Sequence, residues 1–255
     1  MLDLLHANAL FVEGRYEEAA NAYYQGARDG DPDASFNFAY CLRYGFGVPR
    51  DLERAKSFFA FAREADCGEA LYNLAVMHIH GEGVKKNYKK AFEYMRASAD
   101  KGCIEAQLYL GMLYTTGAVF DPDIVGITKI PTRAPEYRTP DDMLLMGDIP
   151  DLLHDEDLRF SVVHADMREA FLWFRTAAYQ KSGGYADDDL IAKAQYLYAK
   201  CFLDGMGTDP SIEKAHRIML LAGKNGSEDA LHYLLENGVT PKNLLGSPKE
   251  IDENT

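Results

Sequence analysis

Residues 69–98 read EALYNLAVMHIHGEGVKKNYKKAFEYMRAS. Take Ala70 as position 0. Leu74, Ala75 and His78 then fall at positions 4, 5 and 8, on one face at about 100° per residue, so the stretch opens with an amphipathic helix. Alanine at position 5 lets a neighbouring helix approach closely. Gly81 and Gly83, at positions 11 and 13, tolerate positive φ and end the helix in a turn. Asn87 at position 17 is a good N-cap, so a second helix starts there. Ala91 at position 21 is a small contact where the two helices cross, and the bulky Tyr94 follows at position 24.

The same order recurs. Leading alanines stand at 34, 70 and 106, each 36 residues apart, and again at 194 and 230. Positions 4, 5 and 8 read Phe38, Ala39, Leu42; Leu110, Gly111, Tyr114; and Tyr198, Ala199, Phe202. Position 11 is Gly45, Gly117 and Gly205, and position 13 is glycine again at Gly47 and Gly207. Position 17 reads Asp51, Asp123 and Ser211, all capping residues. Position 21 is Ala55, Ala170 and Ala215, and position 24 is Phe58, Trp173 and Ile218. One such unit cannot bury its own apolar face, but stacked units bury a continuous core.

These offsets resemble the Sel-one-like repeat, a relative of the tetratricopeptide repeat whose pattern runs A-x3-L-G-x2-Y-x2-G-x-G-V-x2-D-x2-K-A-x2-W. Residues 1–33 resemble a tetratricopeptide unit instead, through ANALFVEGRYEEAANAYYQGARDGDPDA at 7–34. The resemblance implies an all-α fold: a right-handed superhelical solenoid of paired antiparallel helices, about ten in number. It divides a single solenoid domain, 1–255, into a tetratricopeptide-like repeat at 1–33, full repeats at 34–69, 70–105, 106–193 and 194–229, and a partial repeat with a tail at 230–255.

The third full repeat is interrupted. Asp123 stands at position 17, but the alanine that resumes the pattern is Ala170, so about 124–167 is inserted. Pro122, Pro131, Pro135, Pro140 and Pro150 make its front loop or extended chain, with short helices expected around PDDMLLMG and DLLHDEDLRF. An insertion this long either contacts a partner or folds back on the solenoid. Eleven acidic residues against five basic ones between 121 and 168 give any partner surface a basic character. A smaller insertion, QKSGGYADDD, ends in Asp187, Asp188 and Asp189, read as a solvated cap rather than a metal site.

Positions 2, 6, 9 and 10 lie opposite the core face of the first helix. By resemblance to tetratricopeptide proteins this set faces the inner groove. It reads Phe36, Tyr40, Arg43, Tyr44; Tyr72, Val76, Ile79, His80; Leu108, Met112, Thr115, Thr116; and Tyr196, Lys200, Leu203, Asp204. A groove facing only water should be more polar, and aromatic residues are enriched at interfaces. Either a partner uses this face, or the insertion or the C-terminal tail covers it.

Composition narrows the function classes. A net charge of −13 over 255 residues repels DNA and anionic lipid, so nucleic acid and membrane are excluded and a protein or peptide with a basic surface fits. The N-terminal MLDLLHANALFVEGRYEEA has no positive n-region, long apolar run or cleavage site, and no stretch is long and apolar enough to span a bilayer; the expected location is the cytoplasm. Cys41, Cys67, Cys103 and Cys201 form no CxxC pair. Cys67 and Cys103 are equivalent positions of stacked units, roughly 10 Å apart and beyond bridging. The disulfide-bridged secreted branch of the family pairs cysteines within each repeat, and this chain does not.

The chain has no HExxH, GxSxG, P-loop or dinucleotide fingerprint. His78 and His80 point to different sides of one helix, with His78 read as packed and hydrogen-bonded and His80 as groove-facing. HAD at 164–166 lacks a third group. The reading is therefore a non-catalytic adaptor without cofactor or metal, binding a protein or peptide through its groove and acidic insertion. A narrower version is an immunity protein or antitoxin that neutralises a toxin. A third is a metal-dependent enzyme using His154, His164 and the acidic insertion.

Overall fold

The computed structural model describes residues 4–116, 165–181 and 185–239. All regular structure among them is helical: α1 Leu4–Val12, α2 Tyr16–Arg28, α3 Pro32–Tyr44, α4 Leu52–Glu64, α5 Gly68–His80, α6 Tyr88–Asp100, α7 Ile104–Thr116, α8 Met167–Ala178, α9 Tyr185–Asp204, α10 Ile212–Lys224 and α11 Glu228–Glu236. The chain forms two compact units, which divide within α7 between Leu110 and Gly111. In the first, α1 through α6 each pack on their chain neighbours; in the second, α8 through α11 do the same. The insertion expected at about 124–167 lies outside the described residues except for its last three. The two short helices expected within it, Asp123, His154 and His164 lie outside them too.

The repeat positions account for the core. The alanines at positions 0 and 21 and the residue at position 4 are buried in every described copy, and so is position 5 in the full repeats, whereas Leu235 at position 5 of the C-terminal partial repeat is exposed. The bulky position 24 behaves differently. Phe58, Tyr94, Trp173 and Ile218 are only partly buried, and the deeply buried side chain is one residue on, at Phe59, Met95, Phe174 and Met219. Small residues at position 5 make room for it. A Cβ on Gly111 would lie 2.5 Å from the Phe174 ring.

The two glycines of the turn do different work. Gly45, Gly81 and Gly205 have φ of 79, 75 and 68°. Gly45 and Gly81 are the left-handed C-caps of α3 and α5, and an added Cβ at Gly45 would meet nothing closer than 3.7 Å. At position 13 there is no such space. A Cβ on Gly47 would sit 2.1 Å from the Tyr16 carbonyl oxygen, one on Gly83 2.8 Å from Leu52 Cβ, and one on Gly207 2.1 Å from the Met167 carbonyl oxygen. Tyr16, Leu52 and Met167 each open the second helix of the preceding hairpin. The second glycine is thus the point where one turn docks on the helix start of its neighbour.

Caps close each unit. The side chains of Asp51, Asn87 and Ser211 accept from the N–H groups of Arg54, Lys90 and Lys214. Their own N–H groups donate to the carbonyls of Leu42, His78 and Phe202, the position-8 residues, at 2.9–3.0 Å. In the interrupted repeat the same contact runs from the Asp166 N–H to the Tyr114 carbonyl at 2.9 Å, and Asp166 accepts from Arg168 and Glu169 N–H. The cap that counting assigns to Asp123 is filled by Asp166, four residues before Ala170 as the pattern requires.

Candidate protein-binding surface

The turn that docks through Gly47 carries Phe46 between its two glycines. Docking places the Phe46 ring 5.0 Å from Tyr16 and 5.5 Å from Phe11, while α3 brings Tyr40 and Tyr44 to within 6.0 Å of it. Tyr40 and Tyr44 lie 4.5 Å apart, one helical turn along α3. The result is a five-ring platform in which Tyr44 is 45% and Tyr16 38% exposed. Burial pushes the Tyr40 hydroxyl above its ordinary pKa, with Tyr44 adding to the effect. Tyr72 on α5 shifts the same way, mostly by burial, and lies within electrostatic reach of Tyr44, Tyr109 and Glu105.

The remaining sequence-assigned groove residues divide by what they touch. Arg43 is 5% exposed. Its Nε donates to Glu82 at 2.8 Å and its NH1 to the Asn73 Oδ1 at 2.8 Å, while Arg50 donates to the Arg43 carbonyl and to Glu82. Glu82 stands in the next turn at the position Phe46 fills in its own. Arg43 is therefore a clamp between adjacent repeats, and its burial removes it from the open groove surface. Ile79, Leu108 and Tyr196 are also buried. Helix periodicity puts them opposite the core face, but it describes a single helix and leaves out whatever covers that face. Phe36 is partly buried with its ring 5.8 Å from Phe59, and Val76 and His80 are partly buried.

Met112, Tyr196, Lys200 and Leu203 belong to the second unit. Leu203 packs with Tyr196 on its core, Met112 and Lys200 are partly buried, and Asp204 is exposed. Thr115 donates its hydroxyl to the Gly111 carbonyl, and the Thr116 side chain lies outside the described residues. Phe11, Tyr16 and Phe46 were missed by the groove assignment. The trace of Phe46 in the sequence is an aromatic residue between Gly45 and Gly47, where the other copies with both glycines carry Glu82 and Met206.

Among the described residues the geometry offers little reactive chemistry. No group of three His, Cys, Asp or Glu among the described residues could hold a metal, and Asp188 and Asp189 are exposed. The four cysteines are free thiols. Burial pushes Cys67 up to about 11, Cys41 and Cys201 up to about 12, and Cys103 upward as well, so all stay protonated and poorly nucleophilic near neutral pH. His78 is buried against Tyr94, their rings 5.7 Å apart. A backbone hydrogen bond at Lys85 reaches it, and burial lowers its pKa. Its Nδ1 has no partner among the described residues, so only one ring nitrogen has the expected hydrogen bond. Asp166 of the HAD triplet is a helix cap. No helix among the described residues is long and apolar enough to cross a membrane.

A family model for the Sel1 repeat matches residues 32–67, 68–103, 104–124, 144–182 and 192–227. The chain belongs to the Sel1 repeat family. Its repeats are matched in the same 36-residue register as the leading alanines, with the interrupted one matched in two parts. A Sel1 repeat protein from Oxalobacter formigenes has the same fold, with a TM-score of 0.60 and 18% identity over 92% of this chain and 75% of that one. A protective antigen present in uropathogenic Escherichia coli strains, displaying an SLR fold, aligns at a TM-score of 0.41 and 18% identity over 95% of this chain and 58% of that one. A search of the curated proteins gave no match. Sel1 repeats are generally protein–protein interaction modules, and proteins built of them are typically non-catalytic scaffolds.

Proposed function

We propose that this Sel1 repeat protein is a non-catalytic cytoplasmic adaptor that binds a protein or peptide partner through the aromatic face of its first full repeats. One observation carries the reading: Tyr40, Tyr44 and Tyr72 keep contact with solvent although the core of the same helices is already filled by alanines, Phe38, Leu42 and Leu74. Aromatic rings held partly at the surface by a rigid repeat are what an interface requires. The excess acid between residues 121 and 168 supports a partner with a basic surface.

The test is affinity capture from the source organism with the wild-type chain and with Tyr40→Ala/Tyr72→Ala. Loss of a reproducible partner from the double variant is the expected result. A partner retained at full yield would show that this face is the wrong one.

A narrower reading, in which the partner is a toxin neutralised by this chain, is favoured by the same acidic excess, which suits the plugging of a basic active site. Co-expression with a toxin encoded beside the gene tests it, and cells that still die would end it.

A further inference from the structure

We infer that the five-ring platform of Phe11, Tyr16, Tyr40, Tyr44 and Phe46 seats a cationic side chain, arginine or lysine, of a basic peptide segment. The inference rests on the partner-binding reading above and adds to it a place, three residues outside the groove positions, and a ligand chemistry. Aromatic faces carry negative potential and attract cations, most strongly where several rings converge. The molecule already uses one of these rings in this way. The buried Arg43 guanidinium sits 5.0 Å from the Tyr44 centroid. Because Arg43 is itself buried, the 45% of Tyr44 that faces solvent remains open.

The rim favours the same ligand. Glu13 and Glu18 are exposed and both pair with Arg15, and His6 also lies within electrostatic reach of Glu18. Glu17, beside Tyr16, is exposed and makes no ion pair among the described residues. Arg43 and Arg50 are both held by Glu82. With −13 on the whole chain, a basic segment is drawn in by the long-range field, whereas an acidic segment or a second copy of the chain is repelled.

The platform also has a structural reason to be a display site. The turn glycines at positions 11 and 13 are constrained by φ and by close approach, while the residue between them varies: Phe46, Glu82, Met206. That residue reaches back to the preceding repeat, where Glu82 clamps Arg43 and Phe46 joins Phe11 and Tyr16.

The experiment is a fluorescence-anisotropy titration of the full chain with a labelled nona-arginine peptide, its nona-citrulline counterpart and a deca-proline peptide. The arginine peptide should bind and the other two should not. Tyr16→Leu/Tyr44→Leu should weaken binding about 5- to 30-fold, the loss of two partly exposed cation–π contacts. Tyr44→Phe should leave it within about twofold, because the ring face and not the hydroxyl makes the contact. Circular dichroism checks that the exposed substitutions leave the fold intact. Unchanged affinity in the double leucine variant would overturn the inference, since acid elsewhere would then hold the peptide. Equal binding of citrulline or proline peptide would overturn it as well. The titration needs no natural partner. A platform that binds arginine while partner capture survives Tyr40→Ala/Tyr72→Ala refutes the groove assignment alone, and a partner lost with those substitutions while the arginine peptide ignores the platform refutes this inference alone.

Discussion

Replacing Gly45 and Gly47 separately by alanine should separate the two reasons for a glycine in the turn. Gly45 and Gly47 have φ of 79 and 68°, so each alanine carries the left-handed cost of about 1–2 kcal/mol. At Gly45 that is nearly the whole cost, because the new Cβ finds its nearest neighbour at 3.7 Å. At Gly47 the Cβ would lie 2.1 Å from the Tyr16 carbonyl oxygen and 2.4 Å from the Glu17 nitrogen. Both atoms are backbone, so the turn and α2 must move apart by more than about 1 Å to reach ordinary contact. Overpacking of this kind adds about 1–3 kcal/mol. The expected loss is thus about 1–2 kcal/mol for Gly45→Ala and about 2–5 kcal/mol for Gly47→Ala. Stability in a repeat array is a sum of local and interface terms, so the damage should concentrate in the first hairpin. Urea denaturation followed by circular dichroism reads the total, and hydrogen exchange on peptides covering residues 4–28 reads the location. Equal losses for the two variants would refute the docking argument. So would unchanged protection of α1 and α2 in Gly47→Ala. Gly207→Ala repeats the test against Met167 in the second unit.

Three further outcomes follow from the contacts. Arg43→Ala should destabilise by roughly 2–4 kcal/mol, somewhat below a fully buried pair because Glu82 keeps water contact, whereas Tyr44→Ala, at the surface, should cost much less; thermal melts of the two variants compare them. Asp166→Ala should cost about 1 kcal/mol through loss of the α8 cap, measured by urea midpoint, with Asp166→Asn retaining most of it. The lowered pKa of His78, caused by burial first and then by Lys90 and Lys56, means that the unfolded chain takes up a proton near the ordinary value of 6.5 while the folded chain resists. Its contribution is therefore fully present above that value and is lost as pH falls through 6.5 toward the folded value. His78→Phe should flatten this part of the stability–pH curve, and an unchanged slope between pH 7 and 5 would count against it.

The groove assignment shows where reading the sequence runs short. Helix periodicity places Tyr40 and Tyr44 opposite the core; Tyr44 is exposed, and Tyr40 is half-buried against the core of the first repeats. Arg43, Ile79, Leu108 and Tyr196 share that angular sector but are buried. Periodicity describes one helix in isolation, and burial depends on which neighbour covers each side. Phe46 could not be assigned by helix periodicity, because it sits in a turn. Its significance comes from the partners that Gly47 brings to it. Asp166 was legible in principle, as a capping residue four before Ala170, but counting forward from Ala106 stops at Asp123.

Composition and spacing alone determined that the chain is helical, that its unit is a 36-residue hairpin, and which alanines and glycines organise it. These are properties of local geometry: helix period, positive φ and cap chemistry act within a few residues and leave a regular trace. Tertiary structure decided which glycine is a docking point, that Arg43 clamps repeats, that position 25 rather than 24 fills the core, and that five rings from three helices and a turn meet on one surface. Those outcomes depend on contacts between residues of different helices and turns, far apart in the chain, and no local period encodes the distance at which two backbones come to rest.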